Sequence, residues 1–307
     1  MSASTSSAAK PLRCFYLKIG KKNSFADEWM EGKGSNPLGR PAAVIFDQCT
    51  IEEIRNGKSD RQAKDFYESS LPPVRDQILM IVVGGRKAWF LKPAGDLIEH
   101  NSPTDTVNLW KIMPVKIEAV RELKDIPPVL AGINANRNLS SGTYREITNW
   151  GNIKAIYCSL NLPLPNEHLN AENCSAARLL ACLSSVELET LVAKLLEGAG
   201  CFVPAYRGGN GRDVDLFAHN DQNTDVNLDG LVIRSQKRIS IQVKGWTDLK
   251  ECPKTVDCLI GFGVPRSSNC FDDKWLLSQV KACPKVATWL RRSLSWLPQE
   301  FVSKCGL

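Results

Sequence analysis

Residues 184–246 read SSVELETLVAKLLEGAGCFVPAYRGGNGRDVDLFAHNDQNTDVNLDGLVIRSQKRISIQVKGW, and the rest of the chain is organised around them. Leu188, Leu191, Val192, Leu195 and Ala199 recur at helical spacing, which predicts an amphipathic helix with one apolar face. Ser184 followed by Glu187 has the form of a capping box, and Gly198 and Gly200 stop the helix. A glycine-rich turn comes next, then two extended runs separated by a polar loop. The first run carries Asp213 and Asp215, the second Gln242 and Lys244. Residues two apart on a strand point the same way, so Gln242 and Lys244 project from one face while Ile241 and Val243 enter the core.

Two carboxylates, an amide oxygen and an ammonium group gathered together can hold a divalent cation against a phosphodiester. Hydrolysis of that bond builds negative charge on the non-bridging and leaving oxygens. Mg²⁺ keeps several waters and is often held by one or two carboxylates plus substrate phosphate. Asp215 is the expected main ligand, with Gln242 and Asp213 completing the metal set. Asp213 shares the face of Asp215 in an extended chain; the alternative is a solvated turn residue paired with Arg212. Lys244 is expected to position a water and to offset charge developing in the transition state. The competing reading of Gln242 and Lys244 is a solvent-facing strand edge.

The ordered set Leu195-Leu196, Gly200, Gly208-Gly209, Asp215 and Gln242-Val243-Lys244 resembles the Mrr-type branch of the PD-(D/E)xK nucleases, the restriction-endonuclease-like fold. The resemblance covers about a quarter of the chain. It implies an α/β domain with Mg²⁺-dependent endodeoxyribonuclease activity and a catalytic set of Asp215, Gln242 and Lys244. It adds Glu189, on the helix where the family often carries a glutamate; the alternative is an ordinary surface glutamate. Gln242 stands where many relatives have glutamate, which lowers the negative charge of the site. Lys194, Arg207, Arg212 and the Lys237-Arg238 pair are candidate contacts to the phosphate backbone.

Working outward, residues 1–11 read as a flexible tail and residues 12–160 as a strand-rich α+β domain. Residues 161–173, with their prolines and asparagines, read as a linker, and residues 174–307 form the nuclease-like domain. Ser24 is a candidate cap for a short helix reaching Glu31, and Gly84-Gly85 a candidate hairpin turn. The stretch TYREITNWGN, residues 143–152, resembles the PUA-like modules, which include the EVE, YTH and SRA-type readers of modified bases. That implies a barrel-like fold and an aromatic-walled pocket for an extruded base, rimmed by basic groups. Trp29, Trp89, Trp110, Tyr144 and Trp150 are the available aromatics, most of them expected in the core and one or two at a pocket, and Arg40, Arg86 and Arg145 the basic residues nearby in sequence. Trp150 and Arg145 are the expected nucleic-acid contacts among them.

Composition excludes several classes. Among the 307 residues no run is long and apolar enough to span a bilayer, and the N-terminus lacks a signal core, so a cytoplasmic location is expected. The 11 cysteines are odd in number with no C-x-x-C spacing, which argues against a zinc knuckle or a disulfide scaffold. His100, His168 and His219 are the only histidines, too scattered for a nuclease built on paired histidines. His219 reads as an exposed loop residue, with a phosphate contact as the alternative. The net charge of +6 permits an acidic partner.

The expectation that follows is a Mg²⁺-dependent restriction-type endonuclease acting on double-stranded DNA, directed by its N-terminal domain to modified bases. A homodimer fits, because one metal site hydrolyses one strand and a duplex has two. The alternatives are a repair or junction nuclease and a catalytically silent nucleic-acid-binding protein.

Overall fold

The computed structural model describes residues 12–20, 23–101, 109–133, 143–164, 175–204, 214–246, 249 and 251–307. The expected tail and most of the expected linker, from residue 165 on, lie outside the described residues. The chain is mixed α/β and divides into two compact units, Met1–Ile153 and Lys154–Leu307. The division falls within one helix, Trp150–Ser159.

The first unit is built on seven strands: β1 (Arg13–Leu17), β2 (Ala42–Asp47), β3 (Ile78–Gly84), β4 (Lys87–Pro93), β5 (Ile98–Asn101), β6 (Leu109–Glu122) and β7 (Tyr144–Glu146). They form a curled half-barrel in the order β2-β6-β4-β3-β1-β7, with β5 also on β6. All pairs are antiparallel except β1 with β3. Strand β3 is buried along its whole length, as its unbroken run ILMIVVG requires. Among the described residues the sheet is accompanied by α1 (Ala26–Glu31), α2 (Ile51–Arg55), α3 (Arg61–Ser70) and α4 (Pro128–Ala131). Thr50 and Glu53 form a capping box on α2, and Asp60 accepts the Ala63 amide at the start of α3.

Two local expectations are corrected. Phe25, not Ser24, holds the N-cap position of α1, and no side-chain bond caps that helix. Gly84 pairs with Lys87, so the two-residue hairpin turn is Gly85-Arg86 and not Gly84-Gly85. Gly85 adopts φ +56°, a left-handed conformation glycine enters without strain.

In the second unit the helices are α5 (Trp150–Ser159, which begins just before it), α6 (Ala176–Leu180), α7 (Ser185–Gly198), α8 (Asp273–Ala282), α9 (Pro284–Ser293) and α10 (Gln299–Lys304). Its strands are β8 (Leu216–Asn220), β9 (Val226–Leu228), β10 (Leu231–Ile233), β11 (Lys237–Trp246), β12 (Cys258–Phe262) and β13 (Cys270–Phe271). The sheet order is β13-β12-β11-β8, with β8 antiparallel to β11 and the other pairs parallel. Strands β9 and β10 make a separate hairpin through Asp229-Gly230, where a plain polar loop was expected. Both turn residues have positive φ, which matches the twist of a tight hairpin.

Helix α7 carries the predicted capping box: the Ser184 hydroxyl accepts the Glu187 amide at 3.2 Å, and Glu187 accepts the Ser184 amide at 2.9 Å. Leu188, Leu191, Val192, Leu195 and Leu196 are buried against Leu216, Ala218, Ile241 and Val243 of the sheet and Val286 and Leu290 of α9. Each such aliphatic side chain contributes about 1.5–3 kcal/mol when fully buried. The Lys154 ammonium lies 3.1 Å from the centre of the Phe301 ring, joining α5 to α10.

Candidate functional site

The side chains of β8 and β11 alternate between two faces. Leu216, Ala218, Ile241 and Val243 belong to the helix-packed core. Phe217 and His219 of β8 lie opposite Ser240 and Arg238 of β11, on the other face. By the same alternation Gln242 and Lys244 continue that second face along β11.

Asp215 stands just before β8, where the ladder ends. Its amide donates to the Ile241 carbonyl at 2.9 Å, although Leu216 is already the cross-strand partner of Ile241. The extra residue makes a bulge-like end to the pairing. Its Oδ2 accepts the Val243 amide at 2.8 Å. The carboxylate therefore grips the backbone of the residue lying between Gln242 and Lys244, and a predicted trio is brought to one strand segment.

Gln242 is 2 % exposed. Its cross-strand neighbour is Leu259, which packs with Val264, Cys270 and Cys252 in a small apolar cluster. The solvent-facing edge considered for Gln242 is thus excluded, and so is an open amide waiting in a cleft. Lys244 is half-buried and faces Gly261 on β12. A Cβ at Gly261 would lie 3.4 Å from the Lys244 Cβ and 3.2 Å from its carbonyl oxygen, so glycine there leaves the lysine stem its space. Neither Gly261 nor the apolar backing of Gln242 was foreseen; the only sequence signal was the glycine inside the run CLIGF.

Glu189 is half-buried on α7. Lys194 reaches toward Trp289, and Gly198 faces Cys283, so that side of α7 lies against α9. At 3.6 residues per turn Glu189 points nearly the opposite way, beside Val192 and Leu196. It therefore stands on the helix-covered side of the sheet, whereas Gln242 and Lys244 stand on the other. Glu187 is occupied by the capping box, as its spacing required.

Asp213, Arg207 and Arg212, and the Gly208-Gly209 turn, lie outside the described residues. Arg145 and Trp150 are both half-buried in the first unit. Arg145 sits on β7 opposite Tyr16, and its Nε is buried without a hydrogen-bond partner. Trp29, Trp89, Trp110 and Tyr144 are core residues: Tyr144 stacks on Phe15 at 4.6 Å and donates its hydroxyl to Ser69 at 2.9 Å. Most of the available aromatics are expected in the core, and these four give their area to the interior of the half-barrel. His219 is a strand residue, not a loop histidine.

The donor set bears on the expected cation. Among the described residues no group of three or more His, Cys, Asp or Glu side chains is placed to hold a metal ion. Asp215 has one oxygen engaged by the Val243 amide and a second beside it, whereas Gln242 at the same strand segment is buried and adds no open donor. That fits a hydrated Mg²⁺ that draws its remaining ligands from water and phosphate, and does not fit a closed zinc-type site.

No protein-family model matches this sequence, and neither a curated protein nor a solved structure matches it. Among the described residues no helix is long and apolar enough to cross a membrane.

Proposed function

We propose that the second unit is a Mg²⁺-dependent nuclease of the PD-(D/E)xK kind, hydrolysing phosphodiester bonds in DNA as a restriction-type endonuclease. The observation that supports this reading best is the Asp215 carboxylate seated on the Val243 amide, between Gln242 and Lys244. A short polar run on a strand is common; here a carboxylate is also fixed to the backbone between its two polar members.

In this reading Asp215 holds the cation through its second oxygen, and the Gln242 amide orients the segment from behind. The cation, when bound, would offset charge on the phosphate and raise the acidity of a bound water. Lys244 faces the phosphate, positions the attacking water and offsets charge building on the leaving oxygen. Glu189, on the helix-covered side, is left out of the reacting set. The first unit selects the site of cleavage, with modified bases as its proposed target, and a homodimer delivers one site to each strand.

A catalytically silent DNA-binding protein is the second reading, favoured by the burial of Gln242 at the position where the family carries a carboxylate. Incubation with modified, unmodified and branched DNA, in Mg²⁺ or in chelator, separates the two. Cleavage is expected only with Mg²⁺, and Lys244→Ala is expected to abolish it while DNA binding persists. Wild-type cutting by that variant rejects the site; no cutting of any substrate by the wild type leaves the silent reading.

A further inference from the structure

The same sheet face extends away from Lys244 into an aromatic and cationic strip. Phe202 joins the edge of β8 by a two-bond antiparallel bridge to His219, with both N–H···O distances 2.8 Å. Its ring lies edge-on to the His219 ring at 6.3 Å, yet Phe202 remains 58 % exposed. His219 pairs across the strand with Arg238. The Arg238 guanidinium lies over the Phe217 ring, 3.7 Å from its centre. A guanidinium lying over a ring in this way presents its own outer face as a further stacking surface.

We infer that this strip binds a single strand of DNA, its bases stacked on Phe202 and on the Arg238–Phe217 pair and its phosphates led toward Lys244. The inference rests on the nuclease reading for the direction in which the strand runs, and not for the binding itself. Two features select this occupant. The flat groups are sequence-neutral stacking platforms, as single-strand binders use. The fixed charges along this face of β11 are Arg238 and Lys244, both cationic, with His219 beside them. Asp257 reaches β11 from the β12 side, where its Oδ2 accepts the Ser240 amide and hydroxyl at 2.7 Å each and is turned to those two donors. A large exposed phenylalanine held by a bridge at a sheet edge has no role in the core, whose members lie on the opposite face.

The experiment measures fluorescence anisotropy of the full chain with labelled oligothymidylate of about fifteen nucleotides and with duplex of equal length, in chelator so that nothing is cut. Wild type should bind the single strand, and Phe202→Ala should weaken that binding about tenfold, on the order of one lost base stack. Phe202→Tyr keeps a ring and should restore the affinity. Duplex binding should change by less than about threefold, because paired bases offer no free face to Phe202. The proposal is overturned if oligothymidylate does not bind, if Phe202→Ala binds it as wild type does, or if duplex affinity falls equally. Loss of the proposal leaves the Lys244→Ala cleavage result untouched. A wild-type cleavage rate in Lys244→Ala beside a Phe202-dependent single-strand affinity removes only the nuclease reading.

Discussion

Asp215 and Val243 are joined side chain to backbone: the carboxylate Oδ2 takes the Val243 amide at 2.8 Å just where the β8–β11 ladder stops. The aspartate thus does the work of a missing strand residue, and one of its oxygens is left for the proposed cation.

That division of labour separates charge from shape. Asp215→Asn keeps an acceptor for the Val243 amide, so its thermal midpoint should stay near wild type while cleavage is lost. Asp215→Ala strands a buried amide and should cost about 1–3 kcal/mol as well. Equal stability of the two variants in urea unfolding would show that the bond contributes nothing.

Gln242→Glu places a carboxylate in a position that is 2 % exposed, beside Leu259. Without Mg²⁺ the variant should be less stable by about 1–3 kcal/mol at neutral pH, since burial penalises the charge. The proposed cation sits on Asp215 and not on this buried side chain, so added Mg²⁺ should restore none of the loss. A midpoint that rises with the ion would make residue 242 one of its ligands.

Gly200 follows α7 with φ +92°, and a Cβ there would come within 2.0 Å of the Gln222 Nε2, which donates to the Gly200 carbonyl at 2.9 Å. Gly200→Ala should therefore destabilise the protein by about 1–2 kcal/mol, with strain and the displaced Gln222 both contributing. Calorimetry of Gly57→Ala, whose Cβ would meet open space but whose φ is +77°, isolates the backbone share.

Burial pushes the Cys14 and Cys182 thiols and the Tyr16 phenol up to about 12. A raised folded-state value means that the unfolded chain ionises first as pH rises. The stability these groups contribute is whole below about pH 9 and is lost as pH climbs toward 12. Urea midpoints should be level from about pH 7 to 8.5 and then fall, with a shallower fall in Cys14→Ala. A midpoint that holds to about pH 10.5 contradicts this.

Periodicity and caps made much of this architecture legible. Ser184-x-x-Glu187 and the apolar spacing placed α7, Cys283-Pro284 marked the break between α8 and α9, and the alternation of ISIQVKG put Gln242 and Lys244 on one face. The β9–β10 hairpin was also written in Asp229-Gly230, a favoured turn pair, but its strands are three residues each and too short to show a period. Gln242 misled because alternation assigns a face and says nothing about what covers that face. Its cover comes from Leu259, Val264 and Cys270, distant in sequence. The strip of Phe202, His219 and Arg238 was invisible for the same reason: Phe202 meets His219 through one isolated bridge, which no local pattern announces.

The contact between Lys154 and Phe301 ties the first helix residue of the second unit to its last helix. Entry and exit of that unit consequently lie side by side. Such an arrangement is what permits a module to be spliced into a host loop, or its ends to be fused and reopened elsewhere by circular permutation, without unravelling its interior.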